Sequence, residues 1–87
     1  MRTLRLADGV EWRTVDGEIV ALDIKKGIYF ALNRTGALLW ESLSAGTTEP
    51  ALASQLVERF DLDPTAAQGD LDEFLAGLRT NGLLVET

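Results

Sequence analysis

The sequence predicts an α+β fold, winged helix-turn-helix-like, in which a three-stranded antiparallel sheet is followed by three helices. Three observations carry that prediction. From Val10 to Leu32 the chain is rich in β-branched and aromatic residues and is broken by Asp16-Gly17 and by Lys25-Lys26-Gly27. From Asn33 onward the apolar spacing becomes helical, with capping residues and prolines where helices should start. Finally, 87 residues suffice for one core only, so strands and helices must share it in a single domain spanning residues 1–87.

The first strand is Val10 to Val15. Asp16-Gly17 follows it directly, and Asp-Gly is a preferred two-residue hairpin turn because both positions must accept positive φ. The return strand is Glu18 to Ile24, which sets Val15 opposite Glu18, Arg13 opposite Val20 and Trp12 opposite Ala21. Lys25-Lys26-Gly27 reads as a three-residue loop with glycine at the left-handed position, and the third strand is Ile28 to Leu32. That loop places Ile24 opposite Ile28, Leu22 opposite Phe30 and Val20 opposite Leu32. These six share one face and form the expected core side of the sheet. Slipping the loop by one residue would swap the assignment for the third strand.

Asn33 or Thr35 can cap a first helix over Gly36 to Leu43, with Leu39, Trp40 and Leu43 on one stripe. Ser44-Ala45-Gly46 stops it. Thr47 or Thr48 caps the second helix, with Pro50 in its first turn and Leu52, Ala53, Leu56, Val57 and Phe60 along its apolar side. Asp63 caps the third helix, Pro64 occupies its first position, and Ala67, Leu71, Phe74, Leu75 and Leu78 make its ladder. Asn81-Gly82 ends that helix, and Leu83-Leu84-Val85 reads as a short extended tail packing back on the body.

Composition narrows the function classes. There is no Cys and no His, which removes thiol nucleophiles, the commonest metal ligands and the usual neutral-pH general base. Eight Lys and Arg against fourteen Asp and Glu give a net charge of −6, a field that repels nucleic acid and anionic membrane surfaces. The stretch from Met1 to Asp8 lacks the apolar core of a signal peptide, and no apolar run is long enough to span a bilayer. The expectation is a cytoplasmic protein that is not an enzyme and uses no cofactor or metal, with neither nucleic acid nor membrane as a partner.

No catalytic constellation assembles. Ser42, Ser44 and Ser54 have no histidine partner, Gly27, Gly36 and Gly82 are turn, helix-start and cap glycines, and Asp61 and Asp63 flank a helix start where capping accounts for them. Asp70, Asp72 and Glu73 sit on the flanks and back of the third helix, where a solvated face accounts for most of them. Asp70 borders the apolar stripe and is a candidate ligand contact. Arg59 and Arg79 are too few, beside so many acids, for a DNA-reading helix. The feature left over is the third strand, Ile28-Tyr29-Phe30-Ala31-Leu32, the last of the sheet and uncharged along its length. Proteins usually blunt such an edge with charge or proline. Either other elements cover it, or it is a docking edge for an extended peptide or a second copy of the chain.

The run Gly27-Ile28-Tyr29-Phe30-Ala31-Leu32-Asn33-Arg34-Thr35-Gly36-Ala37-Leu38-Leu39-Trp40-Glu41 resembles the strand-to-helix block of the PqqD-like proteins. Val57 to Asp63, the ladder from Asp70 to Leu78 and the closing Gly82-Leu83-Leu84 are also similar to that family, so the resemblance covers about Val10 to Val85. It implies a precursor recognition element for ribosomally made, post-translationally modified peptides. Such a domain is non-catalytic and captures the precursor's leader as an extra antiparallel strand on the third strand. Leader side chains then enter a groove between that strand and the third helix. The implied strand contacts are Ile28, Tyr29, Phe30, Ala31 and Leu32. The implied helix contacts are Ala67, Asp70, Leu71, Phe74 and Leu75, with Phe74 and Asp70 one turn apart on one flank and Ala67 leaving room for a leader side chain. For Leu71 and Leu75 plain core is the competing role. Which flank of the helix faces the strand stays open. The resemblance leans to the stand-alone leader-binding proteins of lasso-peptide clusters, whose partners are a separate cysteine leader peptidase and an ATP-dependent cyclase. The peptide chaperone of quinone-cofactor synthesis is the alternative, with a winged-helix DNA-binding or dimerisation domain further behind.

Overall fold

A computed structural model describes residues 2–87, so Met1 lies outside the described residues. The elements run β1 (Leu4–Leu6), β2 (Val10–Val15), β3 (Glu18–Asp23), β4 (Ile28–Leu32), α1 (Arg34–Ala45), α2 (Glu49–Phe60), α3 (Pro64–Thr80) and β5 (Leu84–Glu86). The strand that the sequence reads as third is β4. β2, β3 and β4 form the expected antiparallel sheet in that order. At the β2–β3 turn Asp16 and Gly17 take φ of 53° and 81°, as a two-residue turn of this kind demands. The register follows: Val15 faces Glu18, Arg13 faces Val20 and Trp12 faces Ala21.

The β3–β4 register corrects the sequence reading by one residue. Asp23 pairs with Ile28, Leu22 with Tyr29, Ala21 with Phe30, Val20 with Ala31 and Ile19 with Leu32. The loop starts at Ile24 because Asp23 closes it. Its carboxylate accepts the Lys26 N–H at 3.3 Å and its carbonyl accepts the Gly27 N–H at 2.8 Å, with Gly27 at φ 66°. The core face of β3 is therefore Ile19 and Ala21, both fully buried, while Val20 and Ile24 stay 41% and 55% exposed. Phe30 and Leu32 keep their expected side and pack against the core. The choice of face follows from Trp12. It lies opposite Ala21 on the helix side of the sheet, where its ring meets that of Trp40 edge-on at a centroid distance of 6.5 Å.

Each helix starts on a side-chain cap. Asn33, rather than Thr35, caps α1, its Oδ1 accepting the Gly36 N–H at 3.0 Å. Thr48 caps α2 by accepting the Ala51 N–H, and Asp63 caps α3 by accepting the Ala66 N–H at 3.1 Å. The three stripes meet in one core of Leu39, Trp40 and Leu43 from α1, Leu52 and Leu56 from α2, and Ala67, Leu71, Leu75 and Leu78 from α3. Leu83 joins them, and the tail packs back on the body as expected, its end forming a strand. β5 pairs with β1, Leu4 opposite Glu86 and Leu6 opposite Leu84. A three-residue segment such as Leu4-Arg5-Leu6 carries too little alternation to announce itself, yet Leu4 is buried and also bridges Thr47.

Candidate functional site

β4 has β3 on one side and no strand on the other among the described residues, so every second backbone N–H and C=O along it faces outward unpaired. β2 is the sheet's other edge, but Glu11 and Arg13 place charge along it, the usual protection against strand addition. β4 carries none. Beside its open edge runs a groove of about 430 Å³ between the end of β4, the start of α1 and one flank of α3. Ala31 and Leu32 form the strand side, Asn33, Thr35, Gly36 and Leu39 the end and floor, and Asp70, Glu73 and Phe74 the helix wall. A second groove of about 450 Å³ lies below the hairpin tip among Arg34, Leu38, Arg59 and Phe60, away from β4.

Local sequence positions these groups. The Asn33 cap turns the chain from β4 straight into α1, which sets Gly36 on the same groove as Leu32. A Cβ at Gly36 would meet Leu32 and Asn33 at 3.5 Å, so the glycine leaves open space that a longer side chain would fill. On α3, Asp70, Glu73 and Phe74 lie three and four residues apart and so share one side of the helix. The opposite flank is committed elsewhere. Arg79 donates to Glu86 on β5, its Nη2 lying 2.6 Å from Oε1. That hydrogen bond holds the Glu86 carboxyl below the usual carboxylate range and raises the Arg79 guanidinium above its ordinary value.

Of the residues expected at the site, the structure brings Ala31, Leu32, Asp70 and Phe74 together around the groove. Ile28, Tyr29 and Phe30 lie along the same open strand: Tyr29 is 72% exposed on the outer face of the sheet, and Phe30 packs toward the core. Ala67, Leu71 and Leu75 are fully buried and do not line the groove, so the core role weighed for Leu71 and Leu75 is the one they occupy. Sequence reasoning omitted Asn33, Thr35, Gly36, Leu39 and Glu73 from the groove. Asn33 and Gly36 read as cap and helix start, and Leu39 as core. Only Glu73, directly before Phe74 and three residues after Asp70, carried a usable spacing signal. The remaining acids have local roles, Asp63 capping α3 and Asp72 accepting from Gln68 Nε2 at 2.8 Å.

A family model described as coenzyme PQQ synthesis protein D (PqqD) matches residues 18–84, from the start of β3 through β4 and α3 into β5. The chain belongs to the PqqD family. Two solved structures similar to this chain are complexes with a leader peptide. One is TbiB1 in complex with the TbiA(beta) leader peptide, 28% identical, with a TM-score of 0.86 over 92% of this chain and 93% of that one. The other is lasso peptide synthetase B1 complexed with the leader peptide, also 28% identical, with a TM-score of 0.82 over 94% and 96%. No curated protein matches the chain. As a PqqD-family fold, the molecule has its uncharged strand edge and its groove inside the matched segment, while β1 and β2 lie outside it. No helix among the described residues is long and apolar enough to cross a membrane.

Proposed function

We propose that this PqqD-family chain is a non-catalytic leader-recognition domain of lasso-peptide maturation, acting in the cytoplasm. It binds the leader of a ribosomally made precursor as an added antiparallel strand on β4, with leader side chains entering the groove between β4 and α3. It then presents the precursor to a separate cysteine leader peptidase and an ATP-dependent cyclase. The observation that carries this reading is the pairing of an uncharged, open β4 edge with a groove along it, in a chain similar over most of its length to two leader-peptide complexes. Main-chain hydrogen bonds to the edge supply affinity, and the groove supplies selectivity.

Ile28, Tyr29, Phe30, Ala31 and Leu32 contribute the strand, and Asp70 and Phe74 the helix wall. Ala67, Leu71 and Leu75 belong to the core side of α3 and support the fold rather than the groove. The matching family model favours a second reading, a peptide chaperone for a quinone-cofactor precursor, which would use the same edge. Titrating isotope-labelled protein with a synthetic leader from the precursor encoded beside it tests the mode. Shifts and slowed amide exchange along Ile28 to Leu32 are expected. Unchanged β4 amides at saturating peptide would rule it out. Which precursor binds, lasso or quinone-cofactor, separates the two readings.

A further inference from the structure

The helix wall of the groove is charged with one sign. Asp70 and Glu73 both line it, beside Phe74 and across from Ala31 and Leu32. Both are exposed, and neither joins an ion pair among the described residues. Two like charges three residues apart on one helix side repel each other mildly, and a cation placed between them removes that repulsion. Leu32 and Phe74 give the approach an apolar side, with Asn33 and Thr35 at the groove's end. An apolar approach ending at two carboxylates matches a long aliphatic stem with a cationic tip, whose methylenes cover apolar surface while the charge stays near water. The Phe74 ring adds a favourable face for the same cation. The other end of β4 carries Lys25 and Lys26 against one acid, Asp23, whose carboxylate is turned to the loop backbone, and Lys26 Nζ donates to the Asn81 carbonyl at 2.9 Å.

We infer that the groove selects leaders carrying a Lys or Arg where the added strand passes the Ala31–Leu32 end of β4. This rests on the leader-binding reading and names the side-chain class that the site prefers. The charge asymmetry along β4 also fixes register, because sliding the peptide toward Lys26 would carry its cation from two carboxylates to an ammonium. The chain's net charge of −6 steers a basic leader toward it from a distance.

The test selects a displayed library of short random peptides on the wild-type chain and on a doubly charge-reversed one, Asp70→Lys with Glu73→Lys, whose folding is checked by thermal melt. Wild type should enrich Lys or Arg at one position, at fixed spacing from an apolar residue, and the reversed chain should enrich Asp or Glu there. Replacing that Lys by Gln in a selected peptide should weaken binding to wild type roughly fivefold, the upper range for an exposed pair. The loss should shrink in high salt and vanish against Asp70→Asn with Glu73→Gln. Peptides that shift the Ile28–Leu32 amides but show no basic preference, or the same preference on both chains, overturn this inference and leave strand addition standing. If no selected peptide perturbs those amides, the leader-binding reading falls and takes the inference with it.

Discussion

Phe74→Ala is the substitution that best separates groove from core. Phe74 is partly buried, packing against the core and also lining the groove, whereas Leu71 and Leu75 beside it are fully buried. Truncating a fully buried Phe costs about 3–5 kcal/mol. At this half-open position the expected cost to folding is about 1–2 kcal/mol, a fall of roughly 4–16 °C in Tm for a domain of this size. The effect on leader binding is of the scale of an aromatic anchor in a small interface, about 1–3 kcal/mol, or roughly five- to 150-fold in Kd. Calorimetric titration with the cognate synthetic leader, at a temperature where a melt shows the variant folded, measures the second quantity apart from the first. Leu71→Ala is the counterpart: it should cost about 2–5 kcal/mol of stability and alter affinity only through misfolding. A folded Phe74→Ala protein that binds as tightly as wild type would refute the reasoning and remove Phe74 from the recognition surface.

Gly36→Ala should stabilise the chain by roughly 0.5–1 kcal/mol, since its Cβ meets only ordinary contacts in a helix, yet weaken leader binding by narrowing the groove; paired melts and titrations would show the opposite signs. Asn33→Ala removes the α1 cap and should lower stability by about 1 kcal/mol, read from the urea midpoint. The Arg79 hydrogen bond holds Glu86 below the usual carboxylate range, so its stabilisation is complete above that range and disappears as pH falls through Glu86's lowered value. Arg79→Gln should therefore flatten part of the acid limb of a Tm-against-pH curve and leave the neutral and alkaline limbs unchanged in slope. A gel-shift titration with duplex DNA at physiological salt should show no specific complex, because the acidic field opposes phosphate contact.

Much of the fold is local chemistry and was therefore legible. Asp16-Gly17 fixes the first hairpin by its need for positive φ, and the Arg13–Val20 and Trp12–Ala21 pairings follow from turn length alone. Asn33 or Thr35, Thr47 or Thr48, and Asp63 announce three helix starts, and Asn33, Thr48 and Asp63 are the side chains that accept a free backbone N–H. The Leu71, Leu75 and Leu78 ladder announces which side of α3 is buried. The candidate site was legible in one half, since an uncharged last strand is visible as composition.

Non-local choices were not legible. The sequence reading places Val20, Leu22 and Ile24 on the core side, and it fails because Ile19 and Ala21 make the other face of the strand equally apolar. The Asp23 carboxylate and the Trp12–Trp40 contact settle the face by closing the loop one residue early and by turning Ala21 inward. The flank of α3 that meets the groove was equally undecided, because Phe74 and Arg79 both border the stripe. Arg79 is drawn to Glu86, and that residue stands within reach only because β5 returns to pair with β1. Thus the sequence by itself determined the strands β2–β4, the helices and the uncharged character of the last strand, since turns and helix starts are set by neighbours along the chain. Tertiary structure alone decided the β3 face, the β1–β5 pair and the Asp70–Glu73–Phe74 wall, since each depends on contacts between segments far apart in sequence.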